Sequence, residues 1–174
     1  MEAQAALGAG AADGAVALLR ETTPFGDAPP RLLARIATLA RPARYAAGAR
    51  VYSPDDPADD IFVVTSGRVE HVLDPEVGAR ESVKRVTRGG VFGWTGLLLG
   101  QTRRLANVTT TEPTEVLRLN TDALVNVLAS EPLEGAAIME RFASMIQREF
   151  TVPALLAKVR RVWGRSPRRC RPSA

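Results

Sequence analysis

The sequence predicts a mainly β protein with flanking α-helices, in the form of a β-sandwich or jelly roll. Between residues 43 and 119, short apolar segments alternate with Gly, Pro, Asp and Ser at turn positions, which is typical of short strands. On both sides of this region, apolar residues instead recur at helical spacing. Many short strands joined by tight turns and framed by helices indicate an antiparallel β architecture.

The individual elements follow from these patterns. A helix is predicted over residues 31–39, where Leu32, Leu33, Ile36 and Leu39 share one face and Pro42 ends the pattern. After the strands, Asn120 or Thr121 is expected to cap a helix that runs to about residue 130. A longer helix over residues 133–150 is expected to start at Pro132. The predicted strands cover residues 50–52, 60–65, 68–73, 81–86, 106–111 and 115–119.

Three regions are expected along the chain. Residues 1–30 are rich in Ala and Gly at their start and are predicted to be a flexible extension, with a short helix beginning near residues 16–20. Residues 31–150 form the predicted domain. Residues 151–174 form a basic tail, in which a last short helix is predicted over residues 154–163. All 19 acidic residues lie at or before Glu149, and seven basic residues follow it, so the basic character belongs to the tail.

Composition narrows the class of protein. The chain has 174 residues, 45% of them hydrophobic, which is enough for one packed domain. Its single cysteine, Cys170, excludes a disulfide scaffold and favours a reducing compartment. The N-terminus has no basic residue before Arg20 and does not resemble a signal peptide. A cytoplasmic location is therefore expected.

The run from Phe92 to Ala106 is the most informative segment. It combines a glycine turn, a short apolar helical turn, a loop and a basic pair that leads into a strand. A helix N-terminus offers unpaired N–H groups, and an arginine fork can close on phosphate oxygens from the other side. The order of these parts is suited to holding one phosphate group.

This run resembles the phosphate-binding cassette of cyclic-nucleotide-binding domains. The cassette's usual pattern is Phe-Gly-Glu, two or three apolar residues, a short loop and Arg-x-Ala; here Phe92-Gly93-Trp94 precedes Arg104-Leu105-Ala106. Other parts also fit the family: Ala47-Gly48, Asp55-Asp56, the strand–Gly–strand segment 61–69 and the turn at Gly89-Gly90. The resemblance covers roughly residues 31–150. It implies a cyclic-nucleotide-binding-like β jelly roll followed by two helices.

The resemblance also implies the site. Arg104 is expected to pair with a cyclic phosphate, helped by backbone N–H groups near Gly96 and Leu97. Leu105 stands where cGMP-preferring members often carry a hydroxyl, so cAMP is favoured over cGMP. The alternative is that Arg103 and Arg104 only solvate a loop. The predicted ligand-binding residues are Phe92, Gly93, Trp94, Gly96, Leu97, Arg103, Arg104, Leu105 and Ala106.

Trp94 departs from the family pattern, because it occupies the position of the glutamate that accepts a hydrogen bond from the ribose 2′-hydroxyl. An indole is only a donor. Losing that acceptor would cost about 1–3 kcal/mol, or about tenfold to hundredfold in affinity. Trp94 can either stack on a planar ligand or plug the pocket, and the plug is slightly favoured.

No other residue set indicates catalysis or a cofactor. His71 is the only histidine and is interpreted as a strand-surface residue, so no metal site is expected. Ser66 and the threonines at 109–111 lack a base partner, so nucleophilic catalysis is not supported. The aspartates at 55, 56, 59 and 60 lack calcium-loop spacing. An enzyme is therefore not expected.

Several partners are predicted. The long helix can form a homodimer through Met139, Phe142, Ile146 and Phe150, or the same stripe can pack on the barrel. The tail has an apolar face with Trp163 and a basic face, so it can contact an anionic membrane, an acidic partner or nucleic acid, or remain a solvated end. Too few residues follow the long helix for a helix-turn-helix, so sequence-specific DNA binding is not expected.

Three functions remain open from the sequence. The first is a non-catalytic regulatory domain that binds a cyclic nucleotide or related phosphate-containing ligand and signals through its C-terminal helix to a protein partner. The second is a ligand-free protein-interaction module on the same fold. The third is a transcription regulator that lacks a helix-turn-helix and acts through the basic tail.

Overall fold

A computed structural model describes residues 9–73, 83–100 and 102–149 of the chain. These residues form five α-helices and eight β-strands, in which the strands occupy the middle of the chain. The helices are α1 (Ala9–Glu21), α2 (Pro30–Leu39), α3 (Thr95–Leu99), α4 (Thr121–Ala129) and α5 (Pro132–Glu149). The strands are β1 (Ala40–Tyr45), β2 (Arg50–Tyr52), β3 (Asp60–Ser66), β4 (Arg68–Leu73), β5 (Val83–Thr87), β6 (Val91–Phe92), β7 (Ala106–Thr110) and β8 (Thr114–Asn120).

The strands form two four-stranded sheets in which all neighbours are antiparallel. One sheet has the order β1-β8-β3-β6, and the other has the order β2-β7-β4-β5. In the first sheet, Ile61 of β3 lies opposite Leu119 of β8 and Phe62 lies opposite Phe92 of β6. This arrangement of strands with helices on its flanks confirms the predicted mainly β jelly roll.

Alternation along the strands divides the apolar core into two clusters. In β3, Ile61 and Val63 face a cluster shared with the helices, whereas Phe62 and Val64 face a cluster between the sheets. Successive side chains of a strand point to opposite faces, so β3 contributes to both. The helix-side cluster includes Trp94 of the predicted cassette. The cassette therefore lies where the jelly roll meets the helices.

The N-terminal region differs from the prediction. Residues 1–30 were expected to be a flexible extension, and this is wrong for residues 9–30, which form α1 and a turn that leads to α2. Leu18, Leu19 and Phe25 are buried in the helix-side cluster. Because these side chains bury their apolar surface against α2 and α5, tertiary packing orders a segment whose local sequence is rich in Ala and Gly.

The first strand also differs from the expectation. Pro42 was expected only to end α2, but it lies inside β1, opposite Leu117 of β8. Proline lacks a backbone N–H, and it is tolerated in a strand at the edge of a sheet. Since β1 is an edge strand with β8 as its only neighbour in the described sheet, Pro42 does not interrupt the pairing.

The two helices after the barrel are confirmed. Asn120 caps α4, because its Oδ1 accepts a hydrogen bond of 3.0 Å from the backbone N–H of Ala123. The helix predicted over residues 154–163 lies outside the described residues. In the part of the chain that the structure describes, no helix combines the length and apolar character needed to cross a membrane.

The stripe predicted as a dimer face on α5 is partly occupied within the chain. Phe142 is fully buried, and its ring meets the ring of Phe25 edge-on with centroids 5.5 Å apart. Met139 is half-buried and packs against the same cluster. Phe142 therefore packs within the chain, as in the alternative to the dimer. The dimer itself stays a prediction, and the side chains of Ile146 and Phe150 lie outside the described residues.

Replacing Gly135 with alanine should destabilise the domain by about 1–3 kcal/mol, because a buried Cβ would overpack the contact between α4 and α5. A Cβ at Gly135 would lie 2.2 Å from the backbone carbonyl oxygen of Leu128. Gly14→Ala is the matched control, since no atom lies within 4 Å of its Cβ position in α1. That change should stabilise the domain by up to about 1 kcal/mol through helix propensity. Urea denaturation measures both, and equal effects of the two substitutions would contradict the packing argument.

Candidate ligand-binding site

The predicted cassette folds as a tight turn, a short helix and a return into the barrel. Gly93 has a φ of +78°, and a Cβ there would lie 2.9 Å from the Arg104 side chain and 3.0 Å from the Phe62 ring. Glycine is thus required at this position because the backbone has a positive φ and because no room is left for a Cβ atom. Trp94 follows directly and precedes α3, whose single turn ends at Gly100 with a φ of +57°.

Arg104 is the central side chain of this region and is only 4% exposed. Its guanidinium group donates three hydrogen bonds to backbone carbonyl oxygens from three different places in the chain. Nε donates to Pro57 at 3.1 Å, one terminal nitrogen donates to Gly93 at 2.9 Å, and the other donates to Asp60 at 2.7 Å. The planar fork of arginine makes such a multipoint contact with oxygens in fixed positions. Arg104 therefore ties the cassette to the loop before β3.

The backbone of Arg104 strengthens the same connection. Its N–H donates to the carbonyl of Asp56 at 2.8 Å, and its carbonyl accepts from the N–H of Asp55 at 3.1 Å. The turn of aspartates after β2, which the sequence indicated only as solvated, thus lies directly against the cassette. Arg104 holds this turn through both main chain and side chain.

Aromatic rings complete the surroundings of the guanidinium group. Its central carbon lies 4.4 Å from the centroid of the Tyr52 ring and 5.4 Å from that of Phe62. Phe62 in turn stacks on Phe92, with centroids 4.9 Å apart and planes inclined by 7°. Cation–π contacts of this kind stabilise a cation that has lost part of its water.

The electrostatics of the site follow from burial. Burial lowers the pKa of Arg104, and the electrostatic influence of Tyr52, Asp60 and Asp59 acts in the opposite direction. Burial also raises the pKa of Tyr52 well above its usual range, while nearby Arg104 opposes that shift. Tyr52 is therefore a neutral phenol at pH 7. Because arginine has so high an ordinary pKa, Arg104 remains charged there.

His71 also borders the site, on β4. Burial, and secondarily the positive charge of Lys84, lower the pKa of His71 to about 4. The imidazole is therefore neutral at pH 7 and adds no positive charge for a phosphate. The sequence indicated a strand-surface histidine, and in the structure His71 is half-buried beside the cassette.

The cavity in this region is very small. Its volume is about 10 Å³. That is close to the minimum for one water molecule, whereas sites for small ligands usually measure about 300–1,000 Å³. Trp94, at 4% exposure, belongs to the helix-side core cluster and fills the space beside it. The lining residues are Tyr52, His71, Gly93, Trp94, Thr95, Arg104, Leu105 and Ala106.

The other predicted site residues have distinct positions. Leu97 is buried, and its N–H donates to the carbonyl of Trp94 at 3.1 Å, so that group is already engaged. Gly96 is half-buried in α3. Leu105 and Ala106 are buried beside the cavity. Arg103 is exposed and donates to the carbonyl of Asp55 at 2.8 Å, which places it on the solvent side of the turn.

The structure brings together residues that the sequence did not indicate as site residues. Tyr52, Phe62 and the carbonyls of Pro57 and Asp60 surround Arg104. An aromatic residue in β2 and another in β3 were a weak signal for the ring contacts. The carbonyl contacts had none, since every residue carries a carbonyl group. Among the described residues, no group of three or more His, Cys, Asp or Glu is placed to hold a metal ion.

Comparison with known proteins identifies the class of this domain. The family model of the cyclic nucleotide-binding domain matches residues 42–131, which is about half of the chain. The chain belongs to this family, which confirms the predicted resemblance. Domains of this family are generally regulatory rather than catalytic. No curated protein matches the chain in sequence.

Solved structures share the fold at low sequence identity. The regulatory domain of Toxoplasma gondii PKA in complex with cAMP has a TM-score of 0.67 and 15% identity over 80% of this chain. This chain spans about half of that structure, 51% of its length. The sensor domain of the transcriptional regulator DNR from Pseudomonas aeruginosa has a TM-score of 0.66 and 17% identity, with 79% of this chain and 92% of that one covered. The N-terminal domain of a Streptomyces coelicolor transcriptional regulator has a TM-score of 0.61 and 22% identity, with 76% and 94% covered.

Proposed function

We propose that this chain is a non-catalytic regulatory domain that acts as a protein-interaction module, with the family's phosphate site closed by its own side chains. The observation that carries the proposal is the engagement of Arg104 by the carbonyls of Pro57, Gly93 and Asp60. The residue that should hold a phosphate is instead buried among backbone oxygens and aromatic rings. A single cysteine in the chain supports the predicted cytoplasmic location.

A phosphate would have to compete with these internal contacts. Hydrogen bonds from a charged group contribute about 1.5–3 kcal/mol each, and moving Arg104 would leave the buried carbonyl of Gly93 and the partly buried carbonyls of Pro57 and Asp60 without this donor. The ligand would also need Trp94 to leave the core, and it would lack the acceptor for its ribose hydroxyl. Each 1.4 kcal/mol of such cost weakens binding about tenfold. These terms together favour a closed site at ordinary nucleotide concentrations.

A second candidate function is cyclic nucleotide sensing, with cAMP preferred to cGMP. It is favoured by membership of the family and by the position of Arg104, which lines the small cavity together with Gly93 and Ala106. In this case the ligand would select a state in which Trp94 and Arg104 have rotated out of the closed arrangement. Leu105 supplies no hydroxyl for a guanine base, which supports the preference for cAMP.

The route to a partner is expected to run through α5. Trp94 and Leu97 of the cassette share one apolar cluster with Leu124 of α4 and with Ile138 and Phe142 of α5. A change at the cassette would therefore alter the packing of both C-terminal helices. Transcription regulation through the basic tail remains a third proposal, and that tail, residues 151–174, lies outside the described part of the chain.

Isothermal titration of the purified chain with cAMP and cGMP tests the closed site. We expect no saturable heat up to about 1 mM ligand, which corresponds to a binding free energy weaker than about 4 kcal/mol. Arg103→Ala and Arg104→Lys are titrated in parallel, since lysine keeps the charge but loses the fork. Micromolar binding of cAMP to the wild type and Arg103→Ala, weakened by Arg104→Lys, would contradict the closed site and establish the second candidate.

A further inference from the structure

The edge of the sheet at β5 is open to further pairing. In the described sheet, β5 is the last strand and has β4 as its only neighbour, with Val69 opposite Val86 and Glu70 opposite Arg85. An edge strand presents a row of backbone N–H and C=O groups to which another chain can add a strand. Val83, at the start of β5, is 52% exposed.

The other three edges of the described sheets are poorly suited to this. Strand β6 has two residues, and β2 has three. Strand β1 contains Pro42, which cannot donate a backbone hydrogen bond. Strand β5 has five residues and no proline. Of these edges, β5 is therefore the one that offers a continuous ladder.

A groove runs beside this strand. Its volume is about 590 Å³, within the range of about 300–1,000 Å³ that is usual for binding sites. Residues 84–91, which comprise most of β5 and the turn into β6, form one side of the groove. Glu21 at the end of α1, Thr23 and Pro24 in the turn after it, and Met145 of α5 also line the groove. The side chains of an extended segment paired with β5 could thus pack into this groove.

The net positive charge of the groove favours an acidic partner. Its lining contains three basic residues, Lys84, Arg85 and Arg88, and one acidic residue, Glu21. Arg85 pairs with Glu70 at 3.0 Å and Arg88 with Glu21 at 3.3 Å, and both arginine side chains are at least 60% exposed. Exposed pairs of this kind contribute only about 0–1 kcal/mol, so an acidic ligand can exchange with them. The same positive charges repel the β5 edge of a second copy of this chain.

We propose that the β5 edge and its groove bind an extended, acidic segment of a partner protein as an added β-strand. Main-chain pairing would supply affinity, and the basic residues, with Lys84 and Arg85 on opposite faces of β5, would select acidic side chains in the segment. This inference deepens the proposed function by naming the kind of segment that docks. It rests on the proposed function in one respect, namely that the partner is a protein. It does not depend on whether the phosphate site is closed or open.

Fluorescence anisotropy with the whole chain tests the groove, with a fluorescein-labelled octapeptide of alternating glutamate and valine as the probe. We expect saturable binding that weakens at least tenfold in the double variant Arg85→Glu/Arg88→Glu. The matched control is Arg44→Glu on β1, since Arg44 is also an exposed arginine on an edge strand and pairs with Glu115 at 2.8 Å. This control should bind as the wild type does. Equal affinity of the double variant and the control would overturn the proposal.

Amide hydrogen exchange on the wild-type chain tests strand addition without any substitution in the protein. The octapeptide should slow exchange within residues 83–87, and a version with proline at its two central valines should bind at least tenfold more weakly. Equal binding of the proline version would show that charge alone acts, and would overturn the added strand. If neither the octapeptide nor cAMP binds, this inference fails while the closed phosphate site stands. If cAMP binds and the octapeptide also does, the closed site fails and the docking groove stands.

Discussion

Replacing Arg104 with alanine should lower the free energy of unfolding by about 3–5 kcal/mol, which is among the largest effects of a single substitution. Three carbonyl oxygens would lose their donor: that of Gly93, whose hydrogen bond is buried, and those of Pro57 and Asp60, whose hydrogen bonds are partly buried. Each unsatisfied buried group costs about 1–3 kcal/mol, and water that enters the site would recover part of this cost. The face of Tyr52 would also lose the cation that lies against it.

Urea denaturation of wild type, Arg104→Ala and Arg103→Ala measures this effect against a neighbouring arginine. Arg103 is exposed and makes one hydrogen bond to the carbonyl of Asp55, so its loss should cost less than about 1 kcal/mol. A loss of the same size in both variants would mean that Arg104 does not hold the cassette to the loop before β3. The side chain would then be free for a phosphate, which would favour the nucleotide sensor.

Replacing Trp94 with alanine should cost about 3–5 kcal/mol, because a large ring would be removed from the core without a substitute. The indole is 4% exposed and belongs to the cluster that joins the cassette to α4 and α5. The cavity left behind would be apolar on the helix side. Apolar cavities of this kind bind small apolar molecules, so added indole should restore part of the lost stability.

Thermal melting of wild type, Trp94→Phe and Trp94→Ala, each with and without indole, measures this series. The phenylalanine variant keeps an aromatic ring and should lose less stability than the alanine variant. Indole should raise the melting temperature of the Trp94→Ala variant, and it should leave those of the wild type and of Trp94→Phe unchanged. If alanine costs less than about 1 kcal/mol, the tryptophan is not a packed plug, and stacking on a planar ligand becomes the better interpretation of this residue.

The sequence was sufficient for most of the fold because hydrophobic periodicity determines it directly. The apolar run of β3 and the helical stripe of α2 each predict an element whose buried residues the structure confirms, and the stripe of α5 predicts a helix that the structure contains. Strand β1 was missed because Pro42 normally ends a pattern, and only the position of the strand at a sheet edge makes it acceptable. Helix α1 was missed beyond a short stretch because its order comes from packing rather than from local propensity.

The sequence predicted the position of the candidate site in the chain, but not the contacts that its residues make. In the structure Trp94 lies at the start of the cassette and Arg104 lies at its return into β7, in the order of the motif. The motif gave no information on the partners of Arg104, because the acceptors are main-chain oxygens more than 40 residues away for Pro57 and Asp60. Whether the arginine faces a ligand or its own backbone is decided by tertiary packing. Neither the composition of the cassette nor its spacing contains that information.

The contact between Phe25 and Phe142 has a consequence for the extent of the folding unit. The matched family region, residues 42–131, omits both rings as well as the whole of α1, α2 and α5. Yet Arg141 pairs with Asp27 at 3.1 Å, Arg35 pairs with Glu131 at 3.2 Å, and the helix-side cluster runs from Ala15 to Phe142. The two ends of the described chain therefore hold each other in place. Removing the first 29 residues would uncover the inner face of α5. The smallest unit that folds on its own therefore extends well beyond the matched residues 42–131.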